Sequence, residues 1–223
     1  MYARAVYPYQ IELLCAHSTS INTHHSQYKK RLNMHSLSSR HLTIFLYFYI
    51  GISSALSCSE EFQNINPVGK FFPNIQGNAL DGKLWQLPKA LAGQPSLLLL
   101  GYQQESQFDI DRWLIALDMR KVQVKLYEVP TIKGWVPRLI SGRINEGMRS
   151  GIPKELWGAV ITVYKDGEQL QRFTGNINPR NARIILLDPQ GQVRFFSDKG
   201  FSVPSLNLLI KEFDLLKTAS QTN

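Results

Sequence analysis

After Cys58 the chain runs for 165 residues without a cysteine or a histidine. All five histidines (His17, His24, His25, His35, His41) and both cysteines (Cys15, Cys58) precede Ser59. The remainder therefore has no imidazole to move a proton near neutral pH and no thiolate nucleophile. Nitrogen and sulfur ligands for zinc, copper or iron–sulfur sites are missing as well, so neither metal nor cofactor is expected. Ser–His–Asp and Cys–His devices cannot be assembled from these residues. Binding remains, or catalysis by carboxylates alone.

A long transmembrane run is also lacking. Leu42–Ile52 is apolar over 11 residues, against about 20 for a comfortable span. It follows Arg40 and His41 and precedes Ser53-Ser-Ala-Leu-Ser57, the layout of a secretory signal. Ala55-Leu-Ser-Cys58 resembles a bacterial lipobox, although a larger aliphatic residue is usual where Ala55 stands. That resemblance makes Cys58 a lipidation site; the alternatives are a free thiol after cleavage or an uncleaved anchor. Met34 suits the start of such a signal, so residues 34–58 read as signal and lipobox. Residues 1–33 read as a non-native or disordered extension. Residues 1–41, rich in Ser and His with the single acid Glu12, also fit an organellar transit segment. The expected location is the bacterial envelope, with the mitochondrial inner membrane as alternative.

Charge of one sign is scarce too. Of 25 basic and 17 acidic residues, five and one precede Ser59, leaving 20 against 16. That mild balance, without a basic block or basic–aromatic stripe, argues against nucleic acid as a partner.

What is present is a series of periodic segments. Residues 59–67 read as an extended tether, and the pieces around Leu80 and Leu84–Leu87 suggest a hairpin turning at Asp81-Gly82. Pro95–Tyr102 is continuously apolar, as for a strand buried on both faces. Ile110, Trp113, Leu114 and Leu117 keep helical spacing, and Val122–Val129 alternates. Val136, Ile140, Ile144 and Met148 predict a helix over 135–150, inserted before the strand Ala159–Tyr164. Lys165–Glu168 reads as a hairpin turn. Ile184–Asp188 and Gln192–Phe196 are further strands, and Val203–Lys217 a closing amphipathic helix. The order β-α-β, insertion, β-β-α predicts a single α/β domain of thioredoxin-like type over 68–217. It has a central mixed sheet flanked by helices and an inserted helix before the third core strand, with 218–223 as a disordered tail.

Two resemblances add to this. Ile185-Leu-Leu-Asp188-x-x-Gly191-x-Val193 with a closing helix resembles the C-terminal half of peroxiredoxin-like and thiol-oxidoreductase-like proteins. In that superfamily the reactive cysteine follows the first central strand, where this chain has Gly101-Tyr-Gln-Gln-Glu-Ser-Gln107. A cis-proline normally precedes the later strand, where this chain has Asn181-Ala182-Arg183. Thiol redox chemistry is thereby excluded. Phe72-Pro-Asn-Ile-Gln-Gly77 and the block Ile184–Phe195 resemble the mitochondrial ATP synthase assembly factors that chaperone Fo subunit a. That family usually has Gly-Tyr where Ala182-Arg183 stands, and Trp where Phe195 stands. The resemblance implies a membrane-associated, non-redox assembly factor whose client is a membrane protein, an ATP synthase Fo subunit among the candidates.

Candidate partner-binding residues follow from position. Gln103, Gln104, Glu105 and Gln107 fall at the C-terminal end of the central strand, where open α/β sheets place ligands. Arg183 would face them, pairing with Glu105, holding an anionic group on a partner, or remaining a plain surface arginine. Trp135, Ile140 and the basic Arg138 and Arg149 are candidates on the inserted helix, whose apolar row equally fits packing on its own sheet. Asp109, Asp111, Asp166, Glu168 and Asp188 show no carboxylate pair in sequence, although distant segments can supply one. No catalytic residue is expected. The runner-up to a non-catalytic chaperone-like protein is an envelope enzyme or degenerate peroxiredoxin-like protein acting on a small molecule.

Overall fold

The computed structural model describes residues 61–133 and 140–221. The signal and lipobox segment, Cys58, Trp135 and Arg138 lie outside the described residues.

The central strand β3 (Ser96–Gly101) is buried from Ser96 to Leu100, as its unbroken apolar run requires. It pairs in parallel with β4 (Lys125–Pro130) and antiparallel with β6 (Arg183–Leu187). β7 (Val193–Ser197) adds antiparallel to β6, giving the order β4-β3-β6-β7. The hairpin of β1 (Ile75–Ala79) and β2 (Leu84–Leu87) joins β5 (Ile161–Thr162) in a second, three-stranded sheet. Parallel bridges Glu128–Val160 and Thr131–Val163 tie β5 to the side of β4. Gly77 lies inside β1 because a Cβ there would strike the Ile161 side chain.

Strand alternation divides the core. Leu97, Leu99, Ile184 and Leu186 face α1 (Gln107–Met119) and α4 (Val203–Gln221), packing on Trp113 and Phe213. Leu98, Leu100, Ile185 and Leu187 face the hairpin side, meeting Phe72, Leu87 and Leu170 of α3 (Gly167–Thr174). Strand order, directions and the split of helices over two faces make this a thioredoxin-like fold.

The insertion between β4 and β6 is larger than expected. It comprises α2 (Ser141–Gly151), a 3-10 helix over Lys154–Ala159, β5 and α3. The strand expected over 159–164 narrows to two residues, with its neighbours held only by the bridges. The hairpin turn expected at 165–168 is instead the start of α3. Asp166 is drawn off to accept the Gln76 N–H at 2.7 Å, and Leu170 fills the core one turn on. α4 continues to Gln221, so residues 218–221 of the expected tail are helical.

Residues 61–67 have no regular secondary structure, yet they do not hang free as a tether. Phe62 N–H donates to Asn176 Oδ1 at 2.6 Å, and Ile65 N–H to the Thr174 carbonyl at 3.2 Å. Gly175, at φ +78°, lies so close to Asn64 that any side chain there would collide with its backbone.

Candidate functional site

β3 delivers the chain to the open end of the sheet at Gly101. Tyr102 turns inward, Gln103 is extended, and Gln104–Ser106 form a 3-10 turn leading into α1. Ser106 is buried and its hydroxyl donates to the Gln103 carbonyl at 2.6 Å, which tightens the turn. Gln103, Gln104 and Glu105 are left exposed on its outer side. Their amide and carboxylate groups offer donors and acceptors suited to an extended peptide.

Directly beneath, the geometry is closed. Arg183 has 0% of its surface exposed, which corrects every expectation for it: it is not a surface arginine, does not pair with Glu105, and cannot reach an anionic group on a partner. Its guanidinium donates to the carbonyls of Ile177, Asn178 and Asn181 at 2.8–3.0 Å and lies 4.8 Å from the centre of the Tyr102 ring. Loss of solvent lowers its pKa. Tyr102 in turn bonds Thr174 Oγ1 at 2.6 Å and the Leu170 carbonyl at 3.0 Å, and burial pushes its phenol up to about 12. At the start of β6 this protein thus has a buried cation fastening the 177–181 loop to Tyr102.

Most of the carboxylates considered for catalysis are holding backbone. Asp109 accepts from Phe201 N–H at 2.7 Å and Ala182 N–H at 2.9 Å, joining the start of α1 to the loops before β6 and α4. Asp188 accepts from Gln190 and Gln192 N–H and shapes the turn into β7. Glu168 pairs with Arg172 one turn along α3. Asp111 differs. It accepts from Gln107 Nε2 at 3.0 Å, and Gln107 also bonds Glu128 of β4. Burial, opposed by that bond and reinforced by the Asp111 charge, raises the Glu128 carboxyl to about 7. Sequence reading missed this pair because its members lie on a helix and a strand 17 positions apart. The polar Glu128 within the otherwise apolar Leu126–Val129 was the available signal.

The remaining candidates are not brought to this end together. Ile140 is 40% exposed and immediately precedes α2. Arg149, expected to point away towards a partner, is turned into the domain: its Nε donates to the Leu80 carbonyl at 2.7 Å and its guanidinium stacks on Trp157. Met148 and Ile152 pack with Leu80 and Val160, so the apolar row of α2 serves its own core. Among the described residues no three His, Cys, Asp or Glu side chains gather as a metal would need, and no helix is long and apolar enough to cross a membrane.

No family model and no curated protein matches this chain. Solved structures do resemble it. BsSco, a member of the Sco family of cytochrome c oxidase assembly proteins, is 12% identical with a TM-score of 0.48, over 72% of this chain and 99% of that one. A SCO1/SenC family lipoprotein from Bacillus anthracis is 12% identical at 0.46, over 70% and 99%. An exposed lipoprotein thioredoxin from Streptococcus pneumoniae is 10% identical at 0.45, over 63% and 99%. Likeness at this level bears on fold alone, and none of the three is an ATP synthase assembly factor.

Proposed function

We propose that this protein is a non-catalytic, chaperone-like binding protein held at a membrane, and that the turn Gln103–Glu105 takes its client. One observation carries the reading. At the site where thiol oxidoreductases of this fold present a reactive cysteine, three exposed polar side chains stand on a fixed base made by Ser106, Tyr102 and Arg183. A rigid base lowers the ordering cost of binding, and amide side chains can pair with a client backbone along an extended segment. The client is a membrane protein, and the resemblance to the ATP synthase assembly family nominates an Fo subunit. The setting is the bacterial envelope with Cys58 as lipid anchor, or the mitochondrial inner membrane.

A photo-crosslinking residue at Gln104, activated in membranes expressing the full chain, should yield one dominant protein adduct that disappears when Gln103 and Glu105 are both alanine. A smear of unrelated adducts, insensitive to those changes, would sink the reading. Palmitate labelling lost in Cys58→Ala checks the anchor.

A second reading attaches to Glu128. A carboxyl held to about 7 beside Asp111 is what a general acid near neutral pH requires. Turnover of a small-molecule substrate abolished by Glu128→Gln, with Gln103–Glu105 replacements harmless, would favour this enzyme reading over the first.

A further inference from the structure

α1 and α4 lie side by side on one face of the sheet, and both carry apolar side chains on the wrong side for the core. On α1, Ile110, Trp113 and Leu117 point inward, while Phe108, Ile115 and Met119 are more than half exposed. With Arg112 these fall at i, i+4, i+7 and i+11, a single outward stripe. On α4, Leu206, Leu209 and Phe213 point inward, while Leu208 and Leu215 are more than half exposed with Lys211 between them. Five large apolar side chains thus stand outward on one helical layer. Such clustering, unlike scattered surface leucines, marks an interaction surface.

Charge and shape choose the occupant. The only charged residues within the two stripes are Arg112 and Lys211, both cationic. The acids Asp111, Asp118, Glu212 and Asp214 sit on the flanks, with Arg120, Lys121 and Lys217. Along α4 runs a shallow groove lined by Asn207, Lys211, Asp214 and Thr218 with Ile210 and Leu215, and reached from the α1 side by Arg120 alone. An apolar client helix would need an apolar groove. Here Ile210 and Leu215 share the groove wall with five polar or charged side chains, while Phe108, Ile115, Met119 and Leu208 stand as ridges, an arrangement that enters a headgroup layer while Arg and Lys meet phosphates.

We infer that the α1–α4 face docks on an anionic bilayer surface. This deepens the membrane-associated part of the proposed function and is independent of the client, since it needs only lipid. Phe108 directly follows Gln107, so docking would bring the client-binding turn down to headgroup level.

The test uses the full chain with Cys15 and Cys58 replaced by serine and a polarity-sensitive nitrobenzoxadiazole label on Ile115→Cys. Vesicles of phosphatidylcholine with phosphatidylglycerol should shift its emission to the blue and expose it to bilayer-borne quenchers. Neutral phosphatidylcholine vesicles should do so far less, and a label on the exposed Gln86→Cys of the hairpin should respond to neither. Arg112→Gln with Lys211→Gln should raise the anionic lipid needed for half-response roughly 25-fold, at about fivefold per lost cation. A label that keeps its aqueous spectrum while the chain floats with vesicles overturns the inference. So does an equal response to neutral lipid, or one seen only in membranes retaining their proteins, which would assign the face to a protein helix. Failure here leaves the Gln104 crosslink unaffected, and loss of that crosslink leaves the lipid response unaffected.

Discussion

Two regions one residue apart at the end of β3 have opposite characters. On the outer side, Gln103, Gln104 and Glu105 are solvent-exposed polar groups on a tight turn. On the inner side, Tyr102, Arg183 and Asp109 are bonded to main-chain groups of α3 and of the loops before β6 and α4. The polar residues of the inner region are architecture; those of the outer region are available for recognition. Burial and partners separate the two roles where residue type does not, since both regions hold polar and charged groups that sequence alone cannot tell apart.

Breaking the inner region should have the largest effect. Arg183→Ala removes three hydrogen bonds from a charged donor and leaves a cavity under Tyr102, for about 3–5 kcal/mol of lost stability. Chemical denaturation should show it, with a Tm lower by roughly 10 °C or more. Arg183→Lys should recover only part, because one ammonium cannot span three carbonyls and lie flat on a ring. Next comes Asp109→Ala, which orphans the Ala182 and Phe201 amides and should cost about 2–3 kcal/mol in the same assay.

Glu128 occupies the border between the regions and gives a pH signature. Its carboxyl binds a proton more tightly folded than unfolded, so its stabilising contribution is complete below pH 4.5 and is lost as pH rises through about 7. Unfolding free energy should fall between pH 4.5 and 8 by on the order of 1–3 kcal/mol, and Glu128→Gln should flatten that slope. A slope unchanged in the variant would place its origin elsewhere. The smallest effect on stability belongs to the outer region. Replacing Gln103, Gln104 and Glu105 together by alanine should change unfolding free energy by about 0.5 kcal/mol or less while abolishing recovery of the client from membranes.

Much of the scaffold was legible because periodicity records burial. The run Ser96–Leu100 could only be a central strand, and Ile110–Trp113–Leu117 only a helix on its face. The order of these elements followed from the sequence, as did the hairpin at Asp81-Gly82. α3 was not legible: its eight residues begin at a Lys-Asp-Gly signal that suits a hairpin equally, and only the bond from Gln76 to Asp166 decides between them. Nor could sequence place Arg183. Arginine is rarely buried, and the three carbonyls that permit it come from a loop whose path depends on the finished sheet. The Asp111–Glu128 pair failed for the same reason: local spacing carries no information about which strand a helix will cover.

The fastening of residues 62–67 beside α3 sets a length. Six residues stretched out would span about 20 Å, whereas here they lie folded back along the domain through Phe62 and Ile65. A chain fixed to a bilayer on its N-terminal side would therefore carry its domain closer to the surface than the same residues would as a free tether. The Phe62 ring beside Arg172 and Lys133, the buried Pro67 and the close approach of Asn64 to Gly175 hold the segment there.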